Sequence, residues 1–242
     1  RDKASVRIHP MAAITRGLEG QQMAELGLMA EADAVAFTDA DRVIADAQVM
    51  RRVLSYASAF NLLICHYPEE PSLAGRGVMN SGEIAMRLGL PGIPTQAETI
   101  MVERDLRLVE MTGGRYHAAC LSTAQAIEAM ARGKARGLPV SAAAAVHNFA
   151  MNEVAVGEYR SFAKTAPPLR SEADRQAVVD GLADGTIDVI CSCHDPQDVE
   201  SKRLPFELAA TGIIGLETML PLALELYHNG ALSLLDLLAK MT

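Results

Sequence analysis

Short apolar runs alternate with amphipathic stretches along this chain, and the runs stop on Asp, His or Cys. Val189-Ile190-Cys191 reads as a buried strand that breaks off into Ser192-Cys193-His194-Asp195-Pro196-Gln197-Asp198. The same ending recurs upstream in Val35-Ala36-Phe37-Thr38-Asp39, Leu62-Leu63-Ile64-Cys65-His66, Tyr116-His117-Ala118-Ala119-Cys120 and Val140 to His147. Strands are predicted at 6–10, 34–38, 62–66, 115–120, 139–146 and 187–193. A buried strand that ends in polar groups fixes their geometry while the following loop admits a ligand. The repeated ending therefore predicts polar groups gathered on one face of a parallel sheet.

Helical spacing fills the intervals. Residues 18–33 carry Leu18, Met23, Leu26, Leu28 and Met29. Over 46–60, Val49, Met50, Val53, Leu54 and Ala57 form one stripe, and Arg51, Arg52 and Ser55 lie off it. Further helices are predicted at 82–89, 95–111, from Ser122 to Gly137, and at 172–183, 206–211, 216–228 and 234–241. Ser122 with Gln125 reads as a capping box, and Ser171 as a cap. Residues 67–82 form a long irregular section, of the kind that is functional or mobile. Six β-α units in alternation imply right-handed crossovers and parallel strands. No glycine-rich phosphate loop follows the first strand, which disfavours a nucleotide-binding sheet and favours a barrel.

The 242 residues suffice for one α/β domain, and a formal net charge of −8 argues against a nucleic-acid or anionic-membrane surface. No apolar stretch reaches membrane-spanning length. The chain begins at Arg1 without Met, so a preceding segment is expected. Four cysteines, Cys65, Cys120, Cys191 and Cys193, all fall at predicted strand ends. They read either as small buried apolar residues or, for one or two of them, as groups facing a metal site.

Gly82-Glu83-Ile84-Ala85, Arg104-Asp105-Leu106, Arg115-Tyr116-His117, Ser122-Thr123, Pro167-Pro168-Leu169-Arg170, Asp174-Arg175, Gly181-Leu182, His194 and Gly215-Leu216-Glu217-Thr218 occur in an order that resembles the dihydroorotases of the amidohydrolase superfamily. The resemblance implies an α/β fold, a (β/α)8 TIM-type barrel, incomplete here with strands three to eight visible. Residues 1–242 would be one partial barrel domain, lacking the first two strands and a flanking small β domain. The implied reaction is the interconversion of carbamoyl-aspartate and dihydroorotate in pyrimidine biosynthesis. Zinc is the implied cofactor, and the implied setting is a cytoplasmic homo-oligomer.

Carried over residue by residue, the resemblance implies Asp39, His66 and Cys120 as metal ligands, Cys120 standing where the family has His. It implies Cys193 at the position of the family's catalytic Asp and Gln197 at that of its substrate-contacting His; His147, by its place at the end of its strand, reads as lining the site toward substrate. Ala166 stands where the family usually has Asn. Against these, Asp39 also reads as a turn carboxylate and His66 as a satisfied core histidine. His194 reads as structural. His117, by strand alternation, points away from the side of Cys120. Two other functions stay open. One is a catalytically inactive subunit that supports aspartate carbamoyltransferase. The other is a different cyclic amidohydrolase of allantoinase or hydantoinase type, whose usual strand-four Lys has no counterpart at 35–41.

Overall fold

The computed structural model describes residues 4–242. Six strands form one sheet: β1 (Met11–Ala12), β2 (Ala36–Phe37), β3 (Leu63–His66), β6 (Arg115–Ala118), β7 (Val140–Ala145) and β8 (Val189–Cys191). They stand side by side in chain order, and every pairing is parallel. Helices α1 (Leu26–Glu31), α2 (Ala47–Ala59), α5 (Thr95–Thr112), α6 (Ala124–Ala135), α7 (Val146–Ala150) and α8 (Glu172–Asp184) lie between them. After β8 come α9 (Val199–Lys202), α10 (Leu216–His228) and α11 (Leu234–Met241). The architecture is a curled parallel half-barrel, as the alternation predicted.

Local chemistry accounts for the helix starts. Asp46 caps α2, its carboxylate accepting the N–H groups of Gln48 and Val49 at 2.7 and 3.1 Å. The predicted stripe of α2 is the face that packs into the core. Ser171 caps α8 through the Asp174 N–H. At α6 the cap is Thr123, not Ser122, the Thr123 hydroxyl accepting the Ala126 N–H. The main core fills the layer between sheet and helices around Phe37, Ile64, Tyr116 and Met130. On β7, Ala142 to Ala145 are all buried.

Several predicted elements differ. The first strand falls at 11–12, after Pro10 rather than before it, since Pro10 has no N–H to offer a ladder. The helix predicted over 18–33 shrinks to 26–31, because Gly17 and Gly20 turn the chain with positive φ. The irregular section 67–82 contains α3 (Pro71–Ala74) and β4 (Met79–Asn80), and past α4 (Glu83–Leu88) β4 pairs with β5 (Gly92–Ile93) in a small parallel ribbon. No helix forms over 206–211. There the Lys164 ammonium donates to the carbonyls of Phe206, Glu207 and Ala209, and Lys202 to those of Ala210 and Gly212. Carbonyls turned onto two buried ammonium groups cannot close a helical ladder.

Candidate functional site at the strand ends

Parallel strands deliver their C-terminal ends to one face, and three thiols meet there. Cys120 follows β6, Cys191 ends β8, and Cys193 lies two residues on. The Sγ separations are 2.9 Å between Cys120 and Cys193, 3.1 Å between Cys191 and Cys193, and 3.4 Å between Cys120 and Cys191. Cys120 and Cys193 both adopt positive φ, 53° and 41°. That backbone is unfavourable for a residue with a Cβ, and such residues gather at functional sites. Hydrogen bonds from the Cys120 and Cys191 thiols hold Cys193 well below the usual thiol range, at about 4. Cys120 and Cys191 are pushed up correspondingly.

His147, just past β7, is 3% exposed, and neither of its ring nitrogens has a hydrogen-bond partner. Burial lowers its pKa to about 4, partly opposed by the negative charge of Cys193. An unpaired buried imidazole costs free energy unless a ligand completes it.

The expected set of Asp39, His66 and Cys120 is not brought together. One Asp39 oxygen accepts the N–H groups of Ile14 and Thr15, each at 2.9 Å, and the other accepts the Thr15 hydroxyl. Asp39 clamps the loop after β1. His66 Nε2 accepts the Ile44 N–H at 2.9 Å, so its proton sits on Nδ1 and is donated to Asp105 Oδ2 at 2.7 Å. The alternative readings, turn carboxylate and satisfied core histidine, describe these hydrogen bonds. A zinc held by Asp39 and His66 does not fit atoms engaged in this way. Among the described residues, the metal-binding side chains that fall within 4.8 Å of one another as a group of three are Cys120, Cys191 and Cys193.

Gln197 turns back on its own loop and donates to Asp195 Oδ1 at 2.7 Å. His194 accepts the N–H groups of Gly215 and Leu216 at the start of α10, the structural part expected of it. His117 meets the Ser141 hydroxyl at 2.8 Å across β6 and β7. The segment after the β8 loop lies flat against it. A Cβ at Gly215 would stand 2.0 Å from the Ser192 carbonyl oxygen, and one at Gly212 would stand 2.5 Å from that of Asp195.

Sequence reasoning missed a charged group behind the thiols. The buried Glu98 carboxylate accepts from the N–H and hydroxyl groups of both Ser122 and Thr123. Buried Arg170 donates to the Ser122 hydroxyl, the Asn80 side chain and the Ile93 carbonyl. Burial, then the negative charges of Glu69 and Glu98, push Tyr67 well above its ordinary value, with Arg170 opposing. At the end of β3 it is Tyr67, next to His66, that lies within electrostatic reach of Cys120. Alternation along the strand was the available signal. The motif ending in Arg170 was visible, but its partners were not.

Comparison with known proteins supplies the context. A family model described as Dihydro-orotase-like matches residues 1–126. The dihydroorotase of Syntrophotalea carbinolica is 48% identical over 98% of this chain and 56% of its own length. That of Desulfotalea psychrophila is 45% identical over 95% of this chain and 55% of its own. The chain thus spans about half the length of the curated relatives it matches. In fold it is similar to the L-hydantoinase (dihydropyrimidinase) of Arthrobacter aurescens, with a TM-score of 0.79 at 21% identity, covering 96% of this chain and 53% of that one. It is also similar to the Saccharomyces cerevisiae dihydroorotase solved with 5-fluoroorotic acid, with a TM-score of 0.72 at 13% identity, covering 95% and 64%.

Proposed function

The chain belongs to the dihydroorotase family, and from that premise we propose that its strand-end mouth is the site of a dihydroorotase-like cyclic amide hydrolase of pyrimidine biosynthesis. The observation that carries the reading is the convergence of Cys120, Cys193 and His147 at the C-terminal ends of β6, β8 and β7, the face on which barrel enzymes build their sites. In the hydrolytic direction water adds to the ring amide carbonyl, the C–N bond breaks, and the leaving nitrogen takes a proton. Dihydroorotate and carbamoyl-aspartate are both anionic. Arg170 gives the mouth a fixed positive charge, and Tyr67 keeps its hydroxyl proton and can donate it.

By the family resemblance, Cys193 occupies the position at which a proton would be held or moved. A thiolate of such low basicity holds a negative charge well and takes up protons poorly. Zinc is the metal the family implies, and no step is assigned to it here because Asp39 and His66 do not present free ligand atoms. The second reading is a catalytically inactive dihydroorotase-like subunit that supports aspartate carbamoyltransferase. A cytoplasmic, homo-oligomeric protein accords with either reading.

The test is binding and turnover of dihydroorotate by the full-length protein, with and without aspartate carbamoyltransferase. Saturable binding of dihydroorotate or carbamoyl-aspartate, lost in Arg170→Met with the fold intact, is expected. No binding of either compound would overturn the proposal and leave the subunit reading.

A further inference from the structure

Cys191 has no part in the site the family resemblance implies, yet its sulfur completes the cluster, 3.1 Å from Cys193 and 3.4 Å from Cys120. We propose that Cys120, Cys191 and Cys193 together form a thiolate site for a thiophilic d10 cation of the zinc type, distinct in ligand chemistry from an oxygen- and nitrogen-ligated hydrolytic centre.

Four observations lead there. First, the three sulfurs come from two strand ends that lie far apart in sequence, so the parallel register and not chain proximity brings them together. Second, Cys120 and Cys193 are held at positive φ, an unfavourable backbone that simple packing of small apolar residues does not require. Third, His147 is buried with both nitrogens unpartnered and within electrostatic reach of Cys193, although it stands outside the 4.8 Å group of three sulfurs. Drawn inward, it would supply the nitrogen donor that three thiolates lack for a tetrahedral set. Fourth, the count is odd. A disulfide joins two sulfurs at about 2.05 Å and strands the third, whereas a cation can use all three.

The spacing suits a cation after a small adjustment. Sulfurs bound to tetrahedral zinc at about 2.3 Å stand roughly 3.8 Å apart, and the present separations are somewhat shorter. Binding would spread the trio and replace the shared S–H protons, releasing them to solvent. Three thiolates and an imidazole would fill the coordination sphere. Such a site is closed and stabilises the fold, in contrast to a catalytic zinc with an open position for water. The proposal is independent of whether the mouth turns over dihydroorotate, because ligand type and stoichiometry are read without substrate.

The experiment uses full-length protein, reduced and freed of metal, then titrated with Zn2+ against a chromogenic chelator and, separately, with Co2+. One equivalent of tight binding is expected, with intense sulfur-to-cobalt charge-transfer absorption and tetrahedral ligand-field bands. Cys191→Ser should weaken Zn2+ binding by roughly a hundredfold or more, at or beyond the upper end of what loss of an outer-shell partner does. Cys65→Ala removes the thiol outside the cluster and should leave binding unchanged. Circular dichroism of each variant checks folding, and the wild-type cobalt spectrum alone decides ligand type if a variant fails to fold. Weak pink octahedral cobalt without sulfur bands, or Zn2+ binding unaffected by Cys191→Ser, would overturn the proposal. So would loss of two of the four thiols to a disulfide in protein that takes up no metal.

Discussion

His66 Nδ1 lies 2.7 Å from Asp105 Oδ2, with both side chains buried between β3 and α5. Asp105 also receives the Tyr116 hydroxyl at 2.9 Å and the Arg104 guanidinium at 2.7 Å. Burial pulls its pKa up, but His66 and Arg104 outweigh burial and hold it below the usual carboxylate range. A carboxylate depressed in the folded state adds stability above its unfolded value, about 4. That stability is lost as pH falls through the lower folded value. Asp105→Asn should destabilise the protein by about 3 kcal/mol at neutral pH, the scale for breaking a buried charged network. The difference should narrow as pH falls below about 4. Urea midpoints of both proteins across that range measure it, and a gap that widens toward acid would contradict the assignment.

Glu98 gives a second stability prediction. Its carboxylate gathers two backbone N–H groups and two hydroxyls at the start of α6. Glu98→Gln keeps the shape but puts an NH2 group where one oxygen accepts. A loss of about 2 kcal/mol is expected, from donors left facing a donor in a buried site. Thermal unfolding should show it. An unchanged midpoint would mean that the N-terminus of α6 finds other partners.

Turnover should be low. Cys193 is a weakly basic thiolate, Gln197 is bonded to Asp195, and the ligand atoms of Asp39 and His66 are engaged. Loss of one acid–base group alone typically costs roughly 10²–10⁴ in rate. Full-length protein assayed for dihydroorotate hydrolysis should fall at least that far below an ordinary dihydroorotase. A normal rate that Cys193→Ala abolishes would show that the thiolate carries the proton after all.

The two outer strands make a prediction about association. Among the described residues, β1 and β8 each pair with one neighbour only, and Met11 and Val189 are 56% and 40% exposed. Unpaired strand edges with apolar side chains invite pairing with another chain. Residues 1–242 expressed alone should self-associate in sedimentation, and a clean monomer would count against an available edge.

How far the sequence disclosed this molecule differs by layer. Strand order was legible because each apolar run is short, β-rich and followed by a helical stripe, and parallel crossovers allow few arrangements. The helix start at Ser171 was legible because capping is local. The 206–211 region was not, because Lys164 and Lys202 reach it from other parts of the chain. At the site, Cys120 and Cys193 were singled out by position, but the roles of Asp39 and His66 depended on where a side chain points. A strand end tells which face a residue reaches only if its register is known to the residue. A shift of one, from His66 to Tyr67, exchanges the mouth for the helix layer.

Gly215 is extended rather than left-handed, with φ −131°, so its backbone shape is open to any residue. Its smallness matters for another reason: the main chain of the 212–215 segment rests directly on that of 192–195. The position of Cys193 is thereby set by a wall of bare backbone, not by an adjustable side chain. A methyl group added at 215 would strike the Ser192 carbonyl and displace the thiol loop. The chemistry of the mouth is then vulnerable to change at a loop glycine that bears no functional group, and Gly215→Ala is where altered ligand geometry should arise without the loss of any ligand.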